Sequence, residues 1–196
     1  MGLWWSLLAL LHSAAAFLQP TTSDAYMKYL RGDWEVRRVI SYKRGGISGR
    51  FTGVASFELL DDASKVLVYV EGGEFKPDLE QFDMHDTRSR LLYDFSDWKQ
   101  VDVLYDLADD RSSAKSILAG GTKLYSLLPD DGEAGVMRTE RVATADLEDT
   151  YQSGELEVSA EDAFLTTWNV VGPLQECQIM TLFRRDKPAA AGADSR

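Results

Sequence analysis

The chain has 196 residues, and 21 Lys+Arg against 32 Asp+Glu give it a net charge of −11. With no run of three basic residues it lacks the cation cluster that nucleic-acid binding draws on, and its charge opposes an anionic membrane surface. A hydrophobic share of 44% with only 5 prolines excludes wholesale disorder and a collagen-like chain, and the length fits one domain with one core.

Residues 1–16 read as a signal peptide. The stretch from Leu3 to Leu11 is apolar apart from Ser6 and uncharged, too short for a membrane span of about 20 residues, and Ala14 and Ala16 supply a small-x-small cleavage site. Residues 17–25 follow as a linker or short transit segment. The run Ser13-Ala14-Ala15-Ala16-Phe17, with Pro20 just after, resembles the bipartite presequences of algae with complex plastids. Delivery to such a plastid and simple secretion both stay open, and no membrane span is expected once the leader is removed.

The segment 24–30 is the one helical stretch, too short to be stable alone and expected to pack as a lid or plug. Strands follow at 34–41 and 50–60, which form a hairpin across Gly45-Gly46, and then at 65–74, 91–95, 99–107, 122–128, 136–143, 150–158, 163–171 and 174–185. Turn residues such as Asp61-Asp62, Pro129-Asp130-Asp131-Gly132 and Gly172-Pro173 separate them. This pattern predicts an all-β fold, an antiparallel up-and-down barrel of about 8–10 strands over residues 26–186, with a disordered tail at 187–196. Closure removes both exposed sheet edges. Gly53 and Ala55, between Phe51 and Phe57 on one face, either leave a cavity or let the strand bend at a barrel corner.

Few residues offer catalytic chemistry. Cys177 is the only cysteine, so no intramolecular disulfide forms, and it reads as a small buried residue. Outside the leader His85 is the only histidine, and its setting in Asp83-Met84-His85-Asp86 reads as surface, which argues against a Ser-His-Asp triad, a zinc site or an axial haem ligand. Arg44-Gly45-Gly46 precedes a strand and reads as a turn rather than a phosphate loop, while Asp109-Asp110 and Asp130-Asp131-Gly132-Glu133 lack calcium-loop spacing. No cofactor and no metal is implied.

Gly32-Asp33-Trp34 resembles the G-x-W signature of lipocalins and the wider calycin group, whose barrels pair that Trp with a basic residue from the last strand; Arg184 and Arg185 stand where that partner is expected. A narrower resemblance spans most of the chain. The segments Tyr29-Leu30-Arg31-Gly32-Asp33-Trp34, Ser48-Gly49-Arg50-Phe51-Thr52-Gly53, Tyr69-Val70-Glu71-Gly72-Gly73, Trp168-Asn169-Val170-Val171-Gly172-Pro173 and Phe183-Arg184-Arg185 follow in order the pattern of the uncharacterised domain of unknown function 6314. That resemblance implies a calycin-like barrel without an assigned activity. One departure is that Thr144 and Asp146 stand where the family has a His and a Cys.

The candidate ligand-binding residues are Phe51, Phe57, Tyr69, Glu71, Tyr93 and Trp168, which would place a carboxylate and phenols beside apolar walls, and the barrel-closing residues are Trp34, Arg184 and Arg185. Arg50 has the opposite parity to Phe51 and is expected to face outward. The functional expectation is a non-enzymatic barrel that binds a small apolar or amphipathic ligand in its interior. The alternatives are enzyme-like cofactor or chromophore handling of the kind bilin lyases perform on a calycin barrel, and a filled structural barrel whose acidic outside docks a basic partner.

Overall fold

In a computed structural model of the protein, the described residues are 18–79, 81, 85–105, 123–139 and 150–185, with residues 150–152 described as backbone only. The leader 1–16, the tail 187–196 and the Thr144 and Asp146 positions lie outside them, as does Asp109-Asp110.

Helix α1 (Ser23–Leu30) leads into ten strands: β1 (Gly32–Arg44), β2 (Gly49–Leu59), β3 (Val66–Pro77), β4 (His85–Asp94), β5 (Val101–Tyr105), β6 (Lys123–Pro129), β7 (Val136–Arg138), β8 (Thr150–Ala160), β9 (Ala163–Val171) and β10 (Glu176–Arg184). Each strand pairs antiparallel with its neighbour in sequence, and β1 pairs with β10 to close the barrel. The expected up-and-down architecture is therefore present. No helix among the described residues is long and apolar enough to cross a membrane.

The alternation of side chains explains the closure. In β1, Trp34 and Val36 are buried while Asp33, Glu35 and Arg37 are exposed, so the even-numbered residues face inward. The register then places Trp34 beside Ala55 on β2 and Val36 beside Phe183 on β10, and the three strands share one inner face. Rings fill the half of the barrel next to α1. Phe164 and Phe183 stack at 4.2 Å, Trp34 meets Phe164 edge-on at 4.7 Å, and Phe57 lies 4.8 Å from Tyr69.

The eight-residue helix plugs this end. Thr22 caps it, its Oγ1 accepting from the Ala25 N–H, and Tyr26, Tyr29 and Leu30 are buried beneath it. A helix of two turns is marginal in isolation, so its hold on the barrel comes from tertiary bonds. The Tyr29 hydroxyl is 2.8 Å from both the Ala160 and Ala163 carbonyls, and the Trp34 indole N–H donates to Leu30 O at 2.7 Å. Gly32 turns the chain from helix to strand with φ +118, a left-handed value that disfavours any residue with a Cβ. Arg185, just past β10, lies 4.1 Å above the Trp34 ring and donates to the Tyr29 and Arg31 carbonyls.

One expectation is revised at this end. Arg184 has the opposite parity, is exposed, and takes no part in the clamp, which is made by Arg185. Residues of the expected 17–25 linker also pack on the barrel. Gln19 donates to the Val158 carbonyl at 2.9 Å, Pro20 is buried with its carbonyl accepting from the Gly135 N–H, and Ser23 is buried.

The clamp has a measurable weight. Arg185→Gln removes a guanidinium from an indole face and disturbs two carbonyl bonds, which together should cost about 2–4 kcal/mol in chemical denaturation. Arg184→Gln should stay within about 0.5 kcal/mol, and amide exchange in α1 should rise in the first variant only.

Candidate functional site

At the end opposite α1, the inner faces of β1–β4 widen into a cavity of about 480 Å³ that is open to solvent on one side. Ile40, Tyr42, Ile47, Phe51 and Phe75 supply apolar and aromatic walls, Thr87 and Ser89 add hydroxyls, and Arg88 stands on the rim. Arg38 and Glu71 form its floor. The volume lies within the range of small-molecule pockets.

The floor is a polar cluster set into an apolar barrel. Arg38 lies two residues beyond Val36 on the inward face of β1, and Glu71 lies on the inward face of β3, only 3% exposed. The guanidinium meets the carboxylate in a fork: Nη1 donates to Oε1 at 2.9 Å and Nη2 to Oε2 at 2.5 Å. Nε donates to Thr181 Oγ1 at 2.9 Å, and the Tyr69 hydroxyl donates to Glu71 Oε2 at 2.5 Å. Glu71 is thus fully engaged from within the protein. A guanidinium carries five N–H donors, and with Tyr69 also engaged by Arg38 one terminal N–H remains beyond these bonds.

Opposed glycines set the height of this floor. Gly53 on β2 faces Gly73 on β3, and a Cβ on Gly53 would stand 2.3 Å from the Gly72 carbonyl oxygen and 2.7 Å from Phe51 Cζ. The Phe51 ring folds over both glycines and carries the Arg38 guanidinium 5.2 Å above its centroid. Gly53 therefore serves a close approach of backbone and ring rather than leaving a void, and Ala55 is buried at 3% exposure in the filled core.

Burial and charge act together on the ionisable groups. Desolvation pulls the Arg38 guanidinium down, but the adjacent Glu71 carboxylate more than offsets it, so Arg38 holds its proton more tightly than usual. Burial first, and the Glu71 charge second, push the Tyr69 phenol well above its ordinary value. Burial likewise raises Tyr26 and Tyr29 beneath the helix.

Of the six ligand-binding candidates, Phe51 and Glu71 line the cavity, and Tyr69 supports Glu71 from below. Phe57 and Tyr93 lie deeper, 5.4 Å apart in the ring cluster around Tyr69, where they fill space. Trp168 packs on Tyr125 at 4.3 Å, away from the cavity lining. The sequence reading did not single out Arg38, Thr181, Ile40, Tyr42, Ile47, Phe75, Thr87, Arg88 or Ser89. Arg38 carried a signal, since it continues the inward series Trp34, Val36. His85 is exposed and pairs its ring with Phe75 at 5.3 Å, and Arg50 is exposed as its parity predicts. Among the described residues no three His, Cys, Asp or Glu side chains gather as metal ligands would.

A closed antiparallel barrel with a plugged end and a polar-floored mouth is the class of protein these features define. The chain matches a family of unknown function, DUF6314, over residues 30–185, and belongs to it. No curated protein matches it in sequence. Solved structures resemble it in fold. The S-type phycobiliprotein lyase CPES from Guillardia theta aligns with a TM-score of 0.56 at 9% identity, covering 85% of this chain and 93% of that one. Rv2717c from M. tuberculosis aligns with a TM-score of 0.52 at 12% identity, covering 84% and 98%. At these identities the likeness is one of fold.

The site generates two expectations. Arg38→Met leaves the Glu71 carboxylate buried without its cation and should cost about 3–5 kcal/mol, whereas the double variant Arg38→Met, Glu71→Gln should recover most of that loss in urea titrations. A phenol whose pKa is higher folded than unfolded gives stability that is complete below the unfolded value of about 10 and is lost as pH rises past it. Alkaline titration followed in the near ultraviolet should therefore show Tyr26, Tyr29 and Tyr69 remaining protonated until the barrel unfolds, with their ionisation and the loss of β signal coinciding.

Proposed function

We propose that the protein binds a small amphipathic molecule in the mouth of its barrel, with the apolar body against Ile40, Ile47, Phe51 and Phe75 and the polar end directed to the Arg38 floor. The observation that carries this reading is the combination of an apolar-walled cavity with an ion-paired cluster at its base, since a purely structural barrel gains little from a buried ion pair over apolar side chains of equal volume. The ligand occupies the outer half only, because rings fill the rest. It enters from the end away from α1, which the Arg185 clamp and the Tyr29 bonds hold shut.

Chromophore handling, as the name of the phycobiliprotein lyase invites, draws support from the fold likeness alone, and fold does not determine activity. The proposed role needs no catalytic residue. Entry into the secretory pathway is part of the same reading. It is supported by the apolar leader and by the fact that a cut after Ala16 spares Gln19 and Pro20, which the barrel holds.

A neutral solvatochromic dye such as Nile red tests the mouth directly. The mature protein should bind it with a blue-shifted emission, Thr87→Trp should weaken that binding at least tenfold by filling the mouth, and pigments, tetrapyrroles and fatty acids can then be ranked by displacement. Absence of dye binding, or binding indifferent to Thr87→Trp, overturns the proposal.

A further inference from the structure

Resting on the mouth as the binding site, we infer that its ligand carries an anionic head, a carboxylate or a group of like charge and shape, which docks on the outer edge of Arg38 with the Thr87 and Ser89 hydroxyls beside it. The floor has already spent its negative charge. Glu71 is 3% exposed, each of its oxygens accepts from Arg38, and Oε2 also accepts from Tyr69, so it offers a cationic ligand neither reach nor free lone pairs of good geometry.

What the cavity presents instead are donors. Arg38 keeps a terminal N–H beyond its bonds to Glu71, Thr181 and Tyr69, and its side chain is 21% exposed and lines the cavity. Thr87 and Ser89 add hydroxyls on β4. The lining therefore offers donors against a carboxylate that Arg38 already neutralises, on a chain whose overall charge is −11. A mouth whose one charged group with donors to spare is a guanidinium favours an anion over a cation of the same shape. Arg38 is also well placed to bind rather than to move. The Phe51 ring beneath it, seated on Gly53 and Gly73, and the Thr181 hydroxyl at its Nε fix the plane of the guanidinium. A carboxylate then meets a donor edge that costs little further ordering.

The test compares octanoate, octanol and octylammonium, which share one alkyl body, by calorimetry on the mature protein. Octanoate should bind at least tenfold more tightly than either of the others, and raised salt should weaken octanoate alone. The double variant Arg38→Met, Glu71→Gln should abolish the preference for the acid, with retained octanol binding showing that the mouth is still formed. Octanol or octylammonium binding as tightly as octanoate, while Thr87→Trp still blocks them, overturns the anionic head and leaves the binding site standing. If none of the three binds, and Nile red does not bind either, the mouth itself is lost as a site and this inference with it.

Discussion

The stacking of Arg185 on Trp34 is the contact from which the two-ended character of this barrel follows. One guanidinium covers the indole that opens β1 and at the same time satisfies carbonyls at the end of α1. Helix, first strand and last strand are thereby tied at one point. With that end closed, the rings of Trp34, Phe57, Phe164 and Phe183 have a dry space to fill. The opposite end has no such plug among the described residues, and the inner faces there set the Arg38 guanidinium and the Thr87 and Ser89 hydroxyls among apolar and aromatic walls. The gradient along β1 displays the whole axis: Trp34 and Val36 in the packed half, Arg38 at the divide, Ile40 and Tyr42 in the mouth.

The divide itself is an unusual place for charge. A buried Arg–Glu pair is expensive to desolvate, and its attraction repays that cost only with good geometry and further hydrogen bonds. Here the fork, the Thr181 hydroxyl and the Tyr69 phenol supply those bonds. Two facing glycines make the geometry possible, because any side chain at Gly53 would displace the ring on which Arg38 lies. The cluster is thus built by residues of three kinds, ionic, aromatic and small, drawn from β1, β2, β3 and β10. It is the feature that most clearly distinguishes the mouth from the rest of the interior.

Much of this was legible in the sequence, and the misses have physical causes. Strands with one buried and one solvated face declare themselves by alternation, as Trp34-Glu35-Val36-Arg37 does. The first half of β4 was invisible because its inward residues are Thr87 and Ser89, which line the cavity and are polar like their outward neighbours Asp86, Arg88 and Arg90. Alternation therefore failed where the site lies. Glu71 and Phe51 could be placed in the interior by parity, but parity says nothing about depth, so Phe57, Tyr93 and Trp168 were grouped with them although they pack elsewhere. Gly53 left two meanings open, and only the register that sets it against Gly73 decides between them. The choice between Arg184 and Arg185 turned on a single residue of parity at a strand end.

The closing strand pair has a consequence for how the molecule is made. Tyr29 and Arg185 are 156 positions apart in the chain, and β1 spends synthesis with only β2 beside it, its other edge waiting for β10. Contacts of such sequence separation form late and slowly, and an unpaired edge on a hydrophobic strand invites association with other chains. Because chains emerge N-terminus first, the plug cannot be clamped until nearly the last described residue has emerged. Premature termination before Arg185 would therefore yield a product with an unclamped helix, whereas termination just after it would spare every contact described here.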